Sequence, residues 1–351
     1  MAAIQTQCLP ATPPCIECAA ALLGKGQVVG IPTETVYGLA ANALDDEAVR
    51  RIFAAKSRPA DNPLIVHVSR MDMIPALIDG DMPDVAQKLA DVFWPGPLTM
   101  IMRKSAAVAP SVSPGLKTVS IRMPAHPVAT ALIECCGLPL AAPSANRSGR
   151  PSPTTAAHVM EDMDGIIPLI VDGGASAVGL ESTVLDVTCQ PPRILRPGGV
   201  TPEMIAAVVG EVVVDPLVLS PLGEDQQPTS PGMKYRHYAP RGALTIIEGE
   251  PMNVAAEIRA RYDAAVQDQR CILALDEHIP WYGERKVHSL GSTPDEAAHN
   301  LFDQLRMMDA LGMQIMLCEG FEAEGIGLAL MNRLTRAAGF HIIKAQEDIT
   351  T

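Results

Sequence analysis

The 351-residue chain is 48% apolar and 19% charged, enough for two packed cores and unlike a fibrous or disordered composition. Its 27 Lys+Arg against 40 Asp+Glu leave a net charge of −13, which excludes a broad phosphate-backbone footprint. From Leu244 onward 9 Lys+Arg meet 17 Asp+Glu, so the cations of the earlier part are available to serve one local pocket.

The first residues carry no basic segment, and the apolar stretch AAALL is too short for a secretory core. No uncharged apolar run reaches about 18 residues, so the expectation is a cytoplasmic protein without a membrane span. Eight cysteines in a chain this long do not form a disulfide framework pattern. Cys15 and Cys18 make a C-x-x-C that no second pair completes, which leaves them as thiols at the start of a helix rather than a zinc site.

Strand and helix patterns alternate from Gly26 to Val209. The run QVVGIP predicts a buried strand, and DDEAVRRIFAAK a helix with Val49, Ile52 and Phe53 on one face behind acidic first-turn residues. PLIVHV is a second buried strand. MPDVAQKLADVF opens as a helix at a proline, LTMIMR and TVSIR are strands, and HPVATALIECCG is a helix stopped by glycine. LPLAAP, the loop SANRSGRPS, the helix PTTAAHVMEDMDG and the strands PLIVD, STVLDV and RILRP follow. This order predicts an α/β domain on a twisted, mixed sheet over residues 1–209.

Residues 210–243 accumulate Pro, Gly and Ser and read as a linker, with SPGMKYRHYAP inside it. Alternation resumes in 244–351: LTIIEG, NVAAEIRARYDAAVQ, CILALDE, PDEAAHNLFDQLRMMDALG, QIMLCEG and GLALMNRLTRAAG predict a small, Rossmann-like α/β domain. Its Gly325-Ile326-Gly327 is only half of a dinucleotide fingerprint, and no P-loop, G-x-S-x-G or H-E-x-x-H occurs.

Polar residues gather at strand ends and in the loops after them, where open α/β sheets bind ligands. They are Thr33-Glu34-Thr35, Lys56-Ser57-Arg58, Asn62, His67, Arg122, Ser144-Ala145-Asn146, Ser182-Thr183 and Arg196. Singly, each has a structural reading as a core histidine, a solvated strand-end arginine or a turn former. Together, four cations with hydroxyls and amides and no carboxylate triad suit a polyanion such as a nucleoside triphosphate. No Asp or Glu stands out as a base.

At these residues the chain resembles the long, two-domain form of the YrdC-like family, the threonylcarbamoyl-AMP synthases. The resemblance rests on PTETVYGLAANA, KSRPADNPLIVHV, WPGPLT, SIRMPAHP, APSANRSGRPSPT, GLESTVLD and ILRPGG, in family order over about 200 residues, then the linker and the final GLALMNRLTRAAG. It implies formation of threonylcarbamoyl-AMP, pyrophosphate and water from L-threonine, bicarbonate and ATP, with Mg2+ on the phosphates and no fixed protein metal site. The product would pass to a tRNA threonylcarbamoyl transferase for t6A modification. It also implies threonine contacts from Thr35, His67, Arg122, Ala142 and Ser182. ATP contacts would come from Arg58, Asn62, Thr118, Ser144, Ser152, Arg196 and Tyr235, with Lys56 and Arg58 as catalytic cations at the phosphates. His67 either orients substrate or relays a proton. The rival reading is a double-stranded RNA-binding module of the same fold without threonine-dependent activity, which the net acidity disfavours beyond weak contact.

Overall fold

The computed structural model describes residues 4–220, 238–266 and 268–346. The chain divides into two compact units, Met1–Ser148 with Ser152–Tyr235, and Gly149–Pro151 with Arg236–Thr351.

The first unit is built on one mixed sheet. Its strands in chain order are β1 (Gln7–Pro10), β2 (Val29–Ile31), β3 (Gly38–Asn42), β4 (Ile65–His67), β5 (Leu98–Arg103), β6 (Thr118–Arg122), β7 (Leu140–Ala141), β8 (Leu169–Asp172), β9 (Thr183–Asp186), β10 (Arg193–Arg196) and β11 (Val213–Val214). They lie in the order β1-β8-β2-β3-β7-β4-β6-β5-β9-β10-β11. β11 falls where the composition alone suggests linker, and it pairs in parallel with β10.

Period-two alternation decides what each face does. Val29, Ile31, Ala40 and Leu140 turn toward helices Pro13–Gly24 and Pro127–Cys136, whose Ala19, Leu23, Leu132 and Ile133 close that side. Leu39, Ala41, Val66, Met100 and Ile121 point into a larger core with Ala48, Val49, Ile52 and Phe53 of helix Asp46–Lys56. That helix starts where the Asp45 side chain accepts from the N–H groups of Glu47 and Ala48, and it ends at Ser57 in a left-handed conformation. Lys56 is the last residue of that helix, and Arg58 follows the left-handed Ser57.

The second unit has β12 (Ala243–Glu248), β13 (Arg270–Leu275), β14 (Val287–Gly291), β15 (Ile315–Glu319) and β16 (Ile342–Lys344), all pairing in parallel in the order β14-β13-β15-β12-β16. By chain position this is third, second, fourth, first, fifth, which differs from the third-second-first-fourth order of dinucleotide-binding folds. Gly327, half of the G-x-G, has its own reason to be glycine: a Cβ there would collide with the Glu322 carbonyl oxygen. At the carboxyl end of β15 the buried Glu319 accepts from Leu275 N (3.1 Å), His278 Nδ1 (2.9 Å) and Tyr282 Oη (2.5 Å). No helix among the described residues is long and apolar enough to cross a membrane.

Candidate active site

Strand register builds the centre of the site. Val66, Ile121 and Met100 form one row across β4, β6 and β5 and face the large core. The next row, His67, Arg122 and Thr99, therefore leaves the sheet on the opposite face. Beneath it sits a small apolar floor of Ile65, Ile101, Val184 and Leu195.

Arg122 is 3% exposed and organises this row. Its Nε donates to the Gly96 carbonyl (3.2 Å) and its Nη1 to Thr35 Oγ1 (2.8 Å), while Nη2 lies 2.6 Å from Glu34 Oε1. The last contact is an ion pair without hydrogen-bond alignment, so the Nη2 donors have no acceptor. Thr35 is itself fixed, because its hydroxyl meets that of Thr33 (2.9 Å), and Thr33 Oγ1 donates to the Val36 carbonyl (2.6 Å). The PTET segment thus presents a hydroxyl and a carboxylate to one arginine.

Electrostatics follow from burial. Desolvation first, and the Arg122 charge second, push the His67 imidazole down to about 3, against the opposing pull of Glu34. His67 is accordingly neutral at physiological pH, and its Nδ1 has no hydrogen-bond partner. Burial raises the Glu34 carboxyl, but the Arg122 charge and the Ala125 N–H outweigh it, and the net shift is downward.

On the other side of the row, Ser182 Oγ meets Thr99 Oγ1 at 2.8 Å. Arg196, at the end of β10, donates from Nε and Nη2 to the Ser182 carbonyl (3.1 and 3.0 Å) and from Nη2 to its hydroxyl (3.1 Å). The loop carrying Ser182 is held from behind: a Cβ on Gly198 would strike the backbone of Glu181, Ser182 and Thr183. Glu181 accepts from the Ser152 hydroxyl at 2.5 Å.

Lys56, 1% exposed, donates its ammonium to the carbonyls of Ser144 and Asn146, the latter at 2.6 Å. Ser144 Oγ in turn donates to Asn146 Oδ1 (2.6 Å). Arg58 donates to the carbonyls of Asn62 (3.4 Å) and Pro63 (3.2 Å). The Asn62 amide is fully buried with neither polar atom bonded. Ala142 lines the seam where Gly38 bridges Ser144, and its N–H donates to Ile65 O (2.9 Å). Thr118 opens β6 and shares a face with Arg122 four residues on, about 13 Å along the strand.

Expected threonine and nucleotide residues are thus joined in three contact sets: Thr35 with Arg122, Ser182 with Arg196, and Lys56 with Ser144. Arg58 and Asn62 form a fourth pair, Ser152 is tied to Glu181, and Thr118 stands at the far end of its strand. Tyr235 lies outside the described residues. Glu34, Thr99, Asn146 and Glu181 also take part in these contacts: the sequence places Glu34 and Asn146 within its polar runs, and Thr99 and Glu181 inside the motifs, without giving any of the four a role.

A family model described as Telomere recombination matches residues 21–198, and one described as Threonylcarbamoyl-AMP synthase, C-terminal domain, matches 200–339. A threonylcarbamoyl-AMP synthase of Pyrococcus abyssi is 46% identical over 329 residues, covering 94% of this chain and 95% of that one. This chain belongs to the threonylcarbamoyl-AMP synthase family. A family member of Bacillus subtilis is also 46% identical, over 334 residues and the same shares of each chain. The crystal structure of P. abyssi Sua5 complexed with L-threonine matches with a TM-score of 0.90 at 45% identity, over 98% of this chain and 99% of that chain.

Proposed function

We propose that this member of the threonylcarbamoyl-AMP synthase family joins L-threonine, bicarbonate and ATP into threonylcarbamoyl-AMP, releasing pyrophosphate and water. The observation that carries the reading is Arg122, a buried guanidinium already bound to a threonine-loop hydroxyl and a carboxylate, yet with Nη2 donors left over for an incoming carboxylate. In this reading Arg122 takes the amino-acid carboxylate, Thr35 and Ser182 the substrate hydroxyl and its surroundings, and the neutral His67 orients the substrate by a hydrogen bond. A backbone contact near Ala142 completes that half.

Arg58, Asn62, Thr118, Ser144, Ser152 and Arg196 hold ATP, with Tyr235 of the connecting segment, and Lys56 with Arg58 offsets phosphate charge as it shifts during transfer. Mg2+ enters with ATP as part of the substrate in this reading. Both reacting partners are anionic, so alignment and charge neutralisation supply most of the catalysis. Residues 1–209 carry the chemistry in this scheme, 210–243 act as linker and lid, and 244–351 as a folded accessory domain. The product passes to a tRNA threonylcarbamoyl transferase in the cytoplasm, and direct RNA contact is weak at most.

Pyrophosphate release from ATP, with threonine and bicarbonate omitted in turn, tests the reading. Release is expected only with both present. Turnover that ignores threonine would sink it.

A further inference from the structure

Three polar atoms of three touching or facing side chains are buried without hydrogen-bond partners: Glu34 Oε2, Arg122 Nη2 and His67 Nδ1. Buried polar atoms in native proteins are almost always satisfied, so three orphans in one cluster mark the place of a missing polar guest. One is an anionic acceptor, one a cationic donor and one a neutral ring nitrogen. A zwitterionic amino acid has the complementary groups. Its carboxylate suits Arg122 Nη2, and its ammonium suits the only anionic acceptor of the three.

We infer that Glu34 is a catalytic residue that binds the substrate ammonium through Oε2 and removes its proton. The inference rests on the activity proposed above, which requires threonine's nitrogen to attack carbon and so requires a free amine. Breaking an ammonium N–H bond moves one proton to Glu34 Oε2 and leaves the electron pair on nitrogen. That pair forms the C–N bond to bicarbonate carbon, while the hydroxide leaves with a second N–H proton as water. The resulting N-carboxylate is the oxygen nucleophile that displaces pyrophosphate from the α-phosphorus, and Glu34 returns its proton to solvent between turnovers.

Other titratable groups facing Glu34 do not compete for this role. The Arg122 guanidinium has donors only and no acceptor lone pair. His67 and His126 are both held neutral, chiefly by burial, and His67 is too weak a base at physiological pH. Substrate binding also tunes Glu34 in the useful direction. In the ligand-free protein the Arg122 charge keeps its carboxyl low, against burial that would raise it. Once a substrate carboxylate shares that charge, the pull of Arg122 on Glu34 weakens, which moves the carboxylate toward greater basicity.

Glu34→Gln tests this, because the amide oxygen can keep the Ala125 N–H bond while losing basicity. At pH 7, threonine-dependent kcat/KM should fall by roughly 100-fold or more, and threonine affinity by calorimetry should weaken as well, because the amide NH2 stands where Oε2 accepted the ammonium; the pH profile separates lost basicity from lost binding. The variant's rate should then climb about tenfold per pH unit above pH 7, because only threonine that is already deprotonated can react. Glu34→Asp, which keeps a carboxylate, should recover part of the rate and most of the flat pH profile. A Glu34→Gln loss that is the same at every pH, a variant within threefold of wild type, or loss of threonine binding in both variants overturns the inference. Wild-type enzyme run alongside separates the two levels: wild-type turnover without threonine would refute the reaction itself, whereas the outcomes just named refute Glu34 alone.

Discussion

Arg122 Nη1 donates to Thr35 Oγ1 at 2.8 Å across a separation of 87 residues, tying the end of a central strand to the loop that follows β2. The same guanidinium holds the Gly96 carbonyl and faces Glu34, so three chain segments converge on one side chain.

Arg122→Lys should therefore be far from conservative. A lysine has one nitrogen to serve three directions and leaves the Glu34 carboxylate poorly paired in a buried place. Threonine Kd is expected to rise by about 10- to 100-fold, the size of about 1.5–3 kcal/mol for charge-assisted hydrogen bonds. Isothermal titration of threonine into the variant measures it, and affinity within twofold of wild type would refute the role.

His67 makes stability depend on pH. Its folded pKa of about 3 lies below the ordinary 6.5, so the unfolded chain binds the proton first. The neutral imidazole's contribution is fully present above pH 6.5, is lost as pH falls through the window below it, and levels off near 3. At pH 5 wild type should have lost about 2 kcal/mol more than His67→Asn, relative to pH 7. Urea melts at the two pH values give the comparison, and parallel losses would show that His67 is not buried in neutral form.

The two glycines of ILRPGG should behave differently. Gly198→Ala drives a methyl into the backbone of Glu181, Ser182 and Thr183, which cannot yield without moving Ser182, so activity should collapse and stability fall by about 2 kcal/mol or more. Gly199→Ala meets only the side chains of Pro97 and Val178, at 3.4 Å, and should stay within about 1 kcal/mol of wild type. Thermal melts and pyrophosphate release on the pair settle the point, and equal tolerance would contradict this account of the loop.

Lys56 is almost wholly buried and its ammonium bonds the Ser144 and Asn146 carbonyls. Lys56→Met removes the charge at similar length and leaves buried carbonyls short of a donor, at a cost of about 1–3 kcal/mol. ATP KM should rise by tenfold or more while threonine affinity holds. A variant with normal ATP KM would move Lys56 out of the nucleotide site.

Much of this was readable in the chain itself. Runs such as PLIVHV and LTMIMR carry β-branched and long apolar residues and form β4 and β5, and DDEAVRRIFAAK forms the helix Asp46–Lys56 with its acidic first turn. β3 was not readable, because GLAAN has no β-branched or aromatic residue and owes its strand state to β2 and β7 on either side. Val213–Val214 is only two residues long beside Asp215-Pro216, and β14 and β16 are likewise too short or too polar to show alternation. At the site, motif residues announce their chemistry one at a time. The partnership of Glu34 with Arg122 does not, because nothing in PTET says which distant cation its acid will meet.

The most direct test of the central claim follows carbon and phosphorus into one product. With carbon-13 bicarbonate, L-threonine and ATP labelled in the α-phosphate, mass spectrometry should find both labels in a single threonine-containing nucleotide, formed in step with pyrophosphate. AMP and pyrophosphate appearing without the bicarbonate carbon, or at the same rate without threonine, would contradict it.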